Sequence, residues 1–154
     1  MNQAITFSPI GYVVSSAEDI AKENWEEAIS RITLLPEYHS GLEGLELFSH
    51  AFILTYLHKA KYRSEEHLKK HPRGLASMPL VGLFARRAKE RPNPIGITVV
   101  KLIRVGTDDL EVQGLDAING TPVLDIKPYF PQHDSVENAV IPKWIDELMK
   151  IDPS

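Results

Sequence analysis

Between residues 81 and 100 the chain reads Val-Gly-Leu-Phe-Ala-Arg-Arg-Ala-Lys-Glu-Arg-Pro-Asn-Pro-Ile-Gly-Ile-Thr-Val-Val, and this stretch narrows the possible folds more than any other. Pro92 and Pro94, one residue apart, fix φ twice and push Arg91 and Asn93 toward extended backbone. Gly96 admits a sharp entry into the segment that follows, where a side chain would clash. Short apolar segments, 81–85 and 97–105, flank this rigid connection and read as strands. The connection presents Arg86, Arg87, Lys89 and Arg91 on stiff backbone. It is either an anion site or a proline-rich hairpin loop whose charges keep it solvated.

Other short apolar runs punctuated by turn residues follow the same pattern. Residues 5–14 read as a strand, with Pro9 and Gly11 marking an edge or a bulge. Residues 31–34, Arg-Ile-Thr-Leu, alternate as a half-buried strand does. Residues 48–58 are the most apolar run, and their β-branched and aromatic content favours a core strand over a buried helix. In an unbroken strand His50 and His58 would share a face. Thr107-Asp108-Asp109 signals a turn, with 110–115 as the return strand. Asn119-Gly120 tolerates φ > 0 and is expected to close a hairpin between 116–118 and 121–126. Pro142 suits the first position of a helix over about 142–150, with Trp144, Ile145, Leu148 and Met149 on or near one face. Residues 15–27, with Ile20 and Trp25 their large apolar groups, read as a long loop with room for a helical turn, and residues 36–45 as a connector or a short helix. Residues 59–79 read as a polar, basic excursion from the core. The sum is a mainly β fold, a small antiparallel β-barrel with a short C-terminal helix and long loops. The doubly wound nucleotide fold is disfavoured, because no Gly-rich turn joins an early strand to a helix and strands and helices do not alternate.

At 154 residues the chain is expected to form one domain, with its core over 5–131, and to bury about two-thirds of its unfolded surface. An apolar fraction of 43% and a charged fraction of 25% are ordinary for a globular protein. No apolar run reaches the ~20 residues of a membrane span. The N-terminus lacks a signal-peptide pattern, and the chain has no cysteine. Disulfides and thiolate metal sites are thereby excluded, and a cytoplasmic location is expected. Charge is unevenly spread. Residues 58–91 hold ten Lys and Arg against three acids, a local +7 that leaves −11 for the remainder of a chain whose net charge is −4. A phosphate-binding face and a solvated charged loop would both look like this.

Hydrolase and metal signatures are absent: no nucleophile elbow, no phosphate-loop lysine motif, no His-Glu-x-x-His. His67 and His71 have a helical i, i+4 spacing, but two lysines lie between them and Pro72 follows, so no metal is expected. His58 is either a capped strand end or a ligand contact. With a hairpin at Asn119-Gly120, Asp116 and Asp125 would lie on opposite strands. They form either a solvated or salt-bridged surface, with Lys127 as partner, or groups that bind ribose hydroxyls or accept a proton.

Four pieces together resemble one family: Gly82-Leu83-Phe84-Ala85 with Arg87, Arg91-Pro92-Asn93-Pro94-Ile95-Gly96, Gly114-Leu115-Asp116, and Asn119-Gly120-Thr121-Pro122-Val123-Leu124-Asp125-Ile126-Lys127-Pro128-Tyr129. Gly44-Leu45-Glu46, Phe48-Ser49-His50 and His58 match the same pattern. The resemblance, over residues 10–131, is to the S-adenosylmethionine-dependent tRNA methyltransferases that methylate N6 of threonylcarbamoyladenosine beside the anticodon. It implies a small barrel, a homodimer, S-adenosylmethionine as cofactor, and the tRNA anticodon region as partner. By position it implies cofactor contacts at Leu57, His58, Arg87, Ile97, Gln113, Gly114, Leu115 and Asp116. Arg87 would hold the methionine carboxylate through a bidentate fork, with backbone around Leu115 on the adenine edge and Ile97 over its ring. Asp125 is the candidate base, with Lys127 and Tyr129 orienting the substrate. Arg86, Lys89, Arg91 and Asn93 are the candidate substrate contacts. Other readings keep the cofactor but change the acceptor to another RNA or a small molecule, or make the barrel a non-catalytic binder of cofactor or RNA. The chain departs from the family in two respects. Longer bacterial members carry a Gln-Pro-Gly loop near the N-terminus that touches the cofactor, whereas residues 21–25 lack that motif and offer Trp25, for stacking or for the core. Those members also continue into a further C-terminal domain.

Overall fold

A computed structural model describes residues 3–15 and 24–151. Eight strands follow in chain order: β1 (Gly11–Val14), β2 (Ile29–Leu34), β3 (His50–Tyr56), β4 (Lys69–Lys70), β5 (Val81–Gly82), β6 (Ile95–Val105), β7 (Asp109–Gln113) and β8 (Pro122–Pro128). The helices are α1 (Ser64–His67), α2 (Pro131–Asp134) and α3 (Lys143–Ile151). The chain forms two compact units, Met1–His58 with Ile95–Phe130 and Lys59–Pro94 with Pro131–Ser154.

The first unit is the expected barrel. Its six strands close in the order β1-β2-β7-β6-β3-β8, and every neighbouring pair is antiparallel. Period-two alternation drives closure: β2 buries Ser30, Ile32 and Leu34 and exposes Ile29, Arg31 and Thr33, while β3 buries Ala51, Ile53 and Thr55. These meet Val13, Val100, Leu110, Val112 and Val123 in one core. Each fully buried Ile or Leu there contributes about 1.5–3 kcal/mol. Gly11 permits the β1 seam, since a Cβ there would strike the Thr33 carbonyl oxygen and lie 2.9 Å from Leu34 Cδ2.

A bulge in β8 sets the orientation of the candidate catalytic groups. Leu54 pairs with Asp125 and Thr55 with Val123, so Leu124 has no opposite residue. Val123 and Ile126, three apart, consequently both turn toward the core, and Asp125 and Lys127 turn to the outer wall.

Several expectations change. The first strand begins at Gly11 instead of residue 5, and Ile5 and Phe7 are exposed. β3 ends at Tyr56, so His50 and His58 do not share a strand face. β7 ends at Gln113, where Gly114 takes φ +83°. Asn119-Gly120 does turn, with Gly120 at φ +78° and Thr121 N–H on the Ile118 carbonyl at 3.2 Å. Residues 116–118 form no strand, however, and β8 pairs with β1 and β3. β7 and β8 lie opposite each other around the barrel, so residues 114–121 cross its end and seal it with buried Leu115 and Ala117. Asp116 and Asp125 are therefore not on paired strands.

In the second unit β4 pairs with β5, whereas β6 pairs with β3 and β7, so residues 81–85 and 97–105 are not partners and 86–94 closes no hairpin. Only Val81–Gly82 is strand, and Leu83–Ala85 is a 3-10 turn. α3 starts one residue after Pro142, whose carbonyl accepts the Ile145 N–H at 3.0 Å. Trp144, Ile145 and Leu148 are half-buried, while Met149 is exposed. Residues 16–23, including Ile20, lie outside the described residues.

A charged cluster ties β2, β6 and β7 together. Arg104 donates to both Asp109 oxygens at 2.9 and 2.8 Å, with Glu111 at 3.6 Å and Arg31 at 3.9 Å from Asp109. The hydrogen bonds from Arg104 hold the Asp109 carboxyl below its ordinary value, helped by the charges of Arg104 and Arg31 and opposed by desolvation. A lowered folded-state pKa gives stabilisation that is complete above the ordinary carboxylate range and is lost as pH falls through the folded value. Asp109→Asn is accordingly expected to lower the thermal midpoint at neutral pH, with the gap to wild type closing below about pH 4. Melting curves across pH check this, and a gap independent of pH would contradict it.

Candidate active site

Antiparallel closure puts the C-terminal ends of β3 and β7 and the N-terminal end of β6 at the same end of the barrel. Leu57, His58, Ile97, Gln113, Gly114, Leu115 and Asp116, drawn from three distant parts of the sequence, therefore lie toward the same end of the barrel, with Gln113 in register with Lys101, four residues along β6 from Ile97. Leu57 packs on Gly96, where a Cβ would sit 3.1 Å from Leu57 Cδ2 and 2.5 Å from Thr55 Oγ1. The glycine is thus needed for close approach. Gly114 donates to the Ala28 carbonyl at 3.1 Å, turning the chain so that Leu115 is buried and Asp116 is exposed. Leu57, His58 and Gln113 are half-buried, and Ile97 is half-exposed. Trp25 is half-buried in a turn, with the Ala28 N–H on its carbonyl at 3.3 Å.

On the outer wall, register aligns Ile97, Leu54 and Asp125 in one row across β6, β3 and β8, and Val99, Phe52 and Lys127 in the next. Two interstrand spacings separate Ile97 from Asp125, about 10 Å. Asp125 Oδ1 accepts the Ile126 N–H at 2.9 Å, and its Oδ2 meets Lys127 Nζ at 2.8 Å. That hydrogen bond, then the carboxylate charge, raises the Lys127 ammonium above its ordinary value. Tyr129 packs on Phe52 at 5.6 Å and His50 at 6.5 Å. Asp125 also borders a cavity of about 660 Å³ lined by Tyr38, Leu42, Glu43, Phe48 and Ile126.

In the second unit, the arginine loop divides its cations. Arg86 Nη2 donates to the His67 carbonyl at 2.6 Å. Arg91 Nη1 donates to the Arg86 carbonyl at 2.9 Å, and its guanidinium lies over the Phe84 ring, 5.9 Å from the centroid. These two arginines brace the loop. Arg87 is exposed and has no hydrogen bond or ion pair among the described residues, while Lys89 Nζ is 3.9 Å from Glu90 and Asn93 is exposed. α1 ends at His67, whose Nδ1 lies 2.9 Å from the Arg63 N–H, and the His71 ring bonds the Met78 carbonyl at 2.6 Å. The i, i+4 spacing is thus not realised on a helix, and among the described residues no group of three or more acidic or histidine side chains could hold a metal.

Leu57 and Ile97 offer apolar cover for an adenine ring, Asp116 a carboxylate for ribose hydroxyls, and Gln113 an amide. In the second unit, by itself, Arg87 offers an exposed guanidinium, a group that pairs with carboxylates. Sequence reasoning missed the Asp125 cavity and the exposure of Phe84. The connector 36–45 showed no sign of wrapping a cavity, and Phe84 sits in an apolar run that reads as strand.

Residues 18–135 match the tRNA-methyltransferase O N-terminal domain family. A relative from Methanothermobacter thermautotrophicus, described as a probable S-adenosyl-L-methionine-binding protein, is 40% identical over 136 residues, 86% of this chain and 95% of the relative. The human tRNA (adenine(37)-N6)-methyltransferase is 42% identical over 112 residues, 73% of this chain and 24% of the relative. The crystal structure of TrmO from Pseudomonas aeruginosa superposes with a TM-score of 0.70 at 36% identity over 90% of this chain. This chain spans 62% of that structure's length. No helix is long and apolar enough to cross a membrane among the described residues. The chain belongs to the tRNA-methyltransferase O N-terminal domain family.

Proposed function

We propose that this chain is an S-adenosylmethionine-dependent methyltransferase that acts on N6 of threonylcarbamoyladenosine beside the anticodon of tRNA, as a cytoplasmic homodimer. The reading rests on one observation above all: in a chain of this family, Leu57, His58, Ile97 and the Gln113 to Asp116 turn lie toward the same end of the barrel, with Asp125 about 10 Å from Ile97. The cofactor supplies an electrophilic sulfonium methyl when bound. Leu57 and Ile97 cover its adenine, Asp116 takes ribose hydroxyls and Arg87 its carboxylate. His58, Gln113 and the backbone of Gly114 and Leu115 complete the contacts.

N6 of the acceptor belongs to a urea-like group whose lone pair is delocalised, so removal of its proton helps the new N–C bond form. Asp125 accepts that proton, and Lys127 and Tyr129 orient the acceptor. Positioning for in-line approach supplies much of the remaining rate. The basic segment 58–91 meets anticodon-stem phosphates. Lys89 and Asn93 contact RNA directly, and Arg86 and Arg91 shape the loop and add to its positive field. The half-exposed apolar outer wall of Tyr56, Ile95, Ile97 and Val99 favours a second copy as partner.

The test is transfer of labelled methyl from the cofactor to purified tRNA bearing threonylcarbamoyladenosine. Incorporation is expected, with RNA affinity falling roughly 50- to 150-fold between 50 and 200 mM salt if four phosphates are neutralised. Cofactor binding without transfer to any RNA would contradict the proposal.

A further inference from the structure

Phe84 is the most exposed aromatic side chain among the described residues, at 82%. It is not on a loose loop. Its 3-10 turn, Leu83–Ala85, is rooted by buried Leu83, closed by the Arg86 N–H on the Leu83 carbonyl at 3.0 Å, and tied to the neighbouring strand by the Leu83 N–H on the Leu68 carbonyl at 2.9 Å. Arg86 fastens the same turn to the His67 carbonyl. Arg91 covers one face of the ring, and is itself held by the carbonyls of Arg86 at 2.9 Å and Ala88 at 3.4 Å. A rigid backbone therefore offers an aromatic ring backed by a fixed guanidinium, with its other face in water.

Two occupants could cover such a ring, an apolar protein surface or a nucleobase. The surroundings favour the second. The flanking residues are Arg86, Arg87, Lys89 and Arg91, within a segment of local charge +7. An apolar contact has no use for a guanidinium stacked on its central ring, whereas unpaired bases stack on aromatic and guanidinium planes beside phosphate-binding cations. We propose that Phe84 is a stacking platform for one unpaired nucleobase of the RNA substrate. Arg91 braces the ring from behind, and Lys89 meets an adjacent phosphate. The inference deepens the tRNA reading and rests on it. It also restricts the substrate, because a base within a duplex has no free face to present.

Equilibrium binding by the full chain of an anticodon stem-loop, and of a fully paired RNA duplex of equal length, tests it with Phe84→Ala, Phe84→Leu and Phe84→Trp. Alanine and leucine are both expected to weaken stem-loop binding roughly ten- to hundred-fold, tryptophan to preserve it, and none to change duplex binding. The exposure of the ring means that the variants keep the wild-type melting midpoint. Leucine binding like wild type, with alanine lowering the dimer fraction in sedimentation, would make the ring an apolar contact between copies and overturn the proposal. Equal losses on loop and duplex would also overturn it. Wild type that binds the stem-loop through Phe84 but transfers no methyl defeats the methyltransferase reading and leaves the platform standing. Methyl transfer with unchanged binding in every Phe84 variant does the reverse.

Discussion

Asp125→Asn is expected to cut methyl transfer by roughly 10²- to 10⁴-fold while leaving cofactor affinity and the melting midpoint near wild type. The substitution keeps shape and keeps an oxygen for the Ile126 N–H, which Asp125 Oδ1 now accepts at 2.9 Å. It removes the carboxylate that would take the N6 proton, and with it the ion pair to Lys127. Both partners of that pair are substantially exposed, so its loss costs little stability. Single-turnover rates at saturating cofactor separate chemistry from binding. An Asp125→Asn enzyme with undiminished turnover would remove Asp125 from the mechanism. The β8 bulge gives this prediction its structural basis. In a regular strand of the same sequence Asp125, two residues after Val123, would turn toward the core with it; the bulge at Leu124 puts it on the outer wall.

Arg87→Ala is expected to weaken cofactor binding by roughly 10²- to 10³-fold, the loss of a two-pronged, charge-assisted contact with a carboxylate. Arg87→Lys should recover only part of it, since an ammonium cannot reproduce the planar fork. Neither change should move the melting midpoint, because Arg87 braces nothing among the described residues. Arg86→Ala is the contrasting case. Its guanidinium satisfies the His67 carbonyl at 2.6 Å, so the variant should lose stability before it loses affinity. Calorimetric titration of the cofactor, paired with melting curves, distinguishes the two arginines. Equal cofactor affinity in wild type and Arg87→Ala would assign that guanidinium to another ligand.

The barrel was legible because its signal is local. Alternation in β2 and β7 and the dense β-branched run of β3 mark which residues turn inward, whatever they pair with. Pairing is not local, which is why Asn119-Gly120 misleads. Its backbone turns as two φ-tolerant residues should, yet the segment before it spans the barrel end instead of pairing beside β8. A similar limit applies at residues 81–105, where two apolar segments flanking a proline loop look like a hairpin but belong to different sheets. Within the site, Asp125 and Lys127 are two apart on a strand and so share a face, and that much is readable from sequence. That their face is the outer wall depends on a one-residue bulge with no sequence marker. The division of the arginines is equally hidden, since only the fold shows that Arg86 and Arg91 hold backbone carbonyls while Arg87 does not.

The central claim is tested most directly by mass spectrometry of modified nucleosides in tRNA from cells that lack this methyltransferase activity, with and without this chain supplied. N6-methyl threonylcarbamoyladenosine is expected to appear with the wild-type chain and to stay absent with Arg87→Ala. Unmethylated threonylcarbamoyladenosine at full level in the presence of wild-type chain that binds the cofactor would contradict the account.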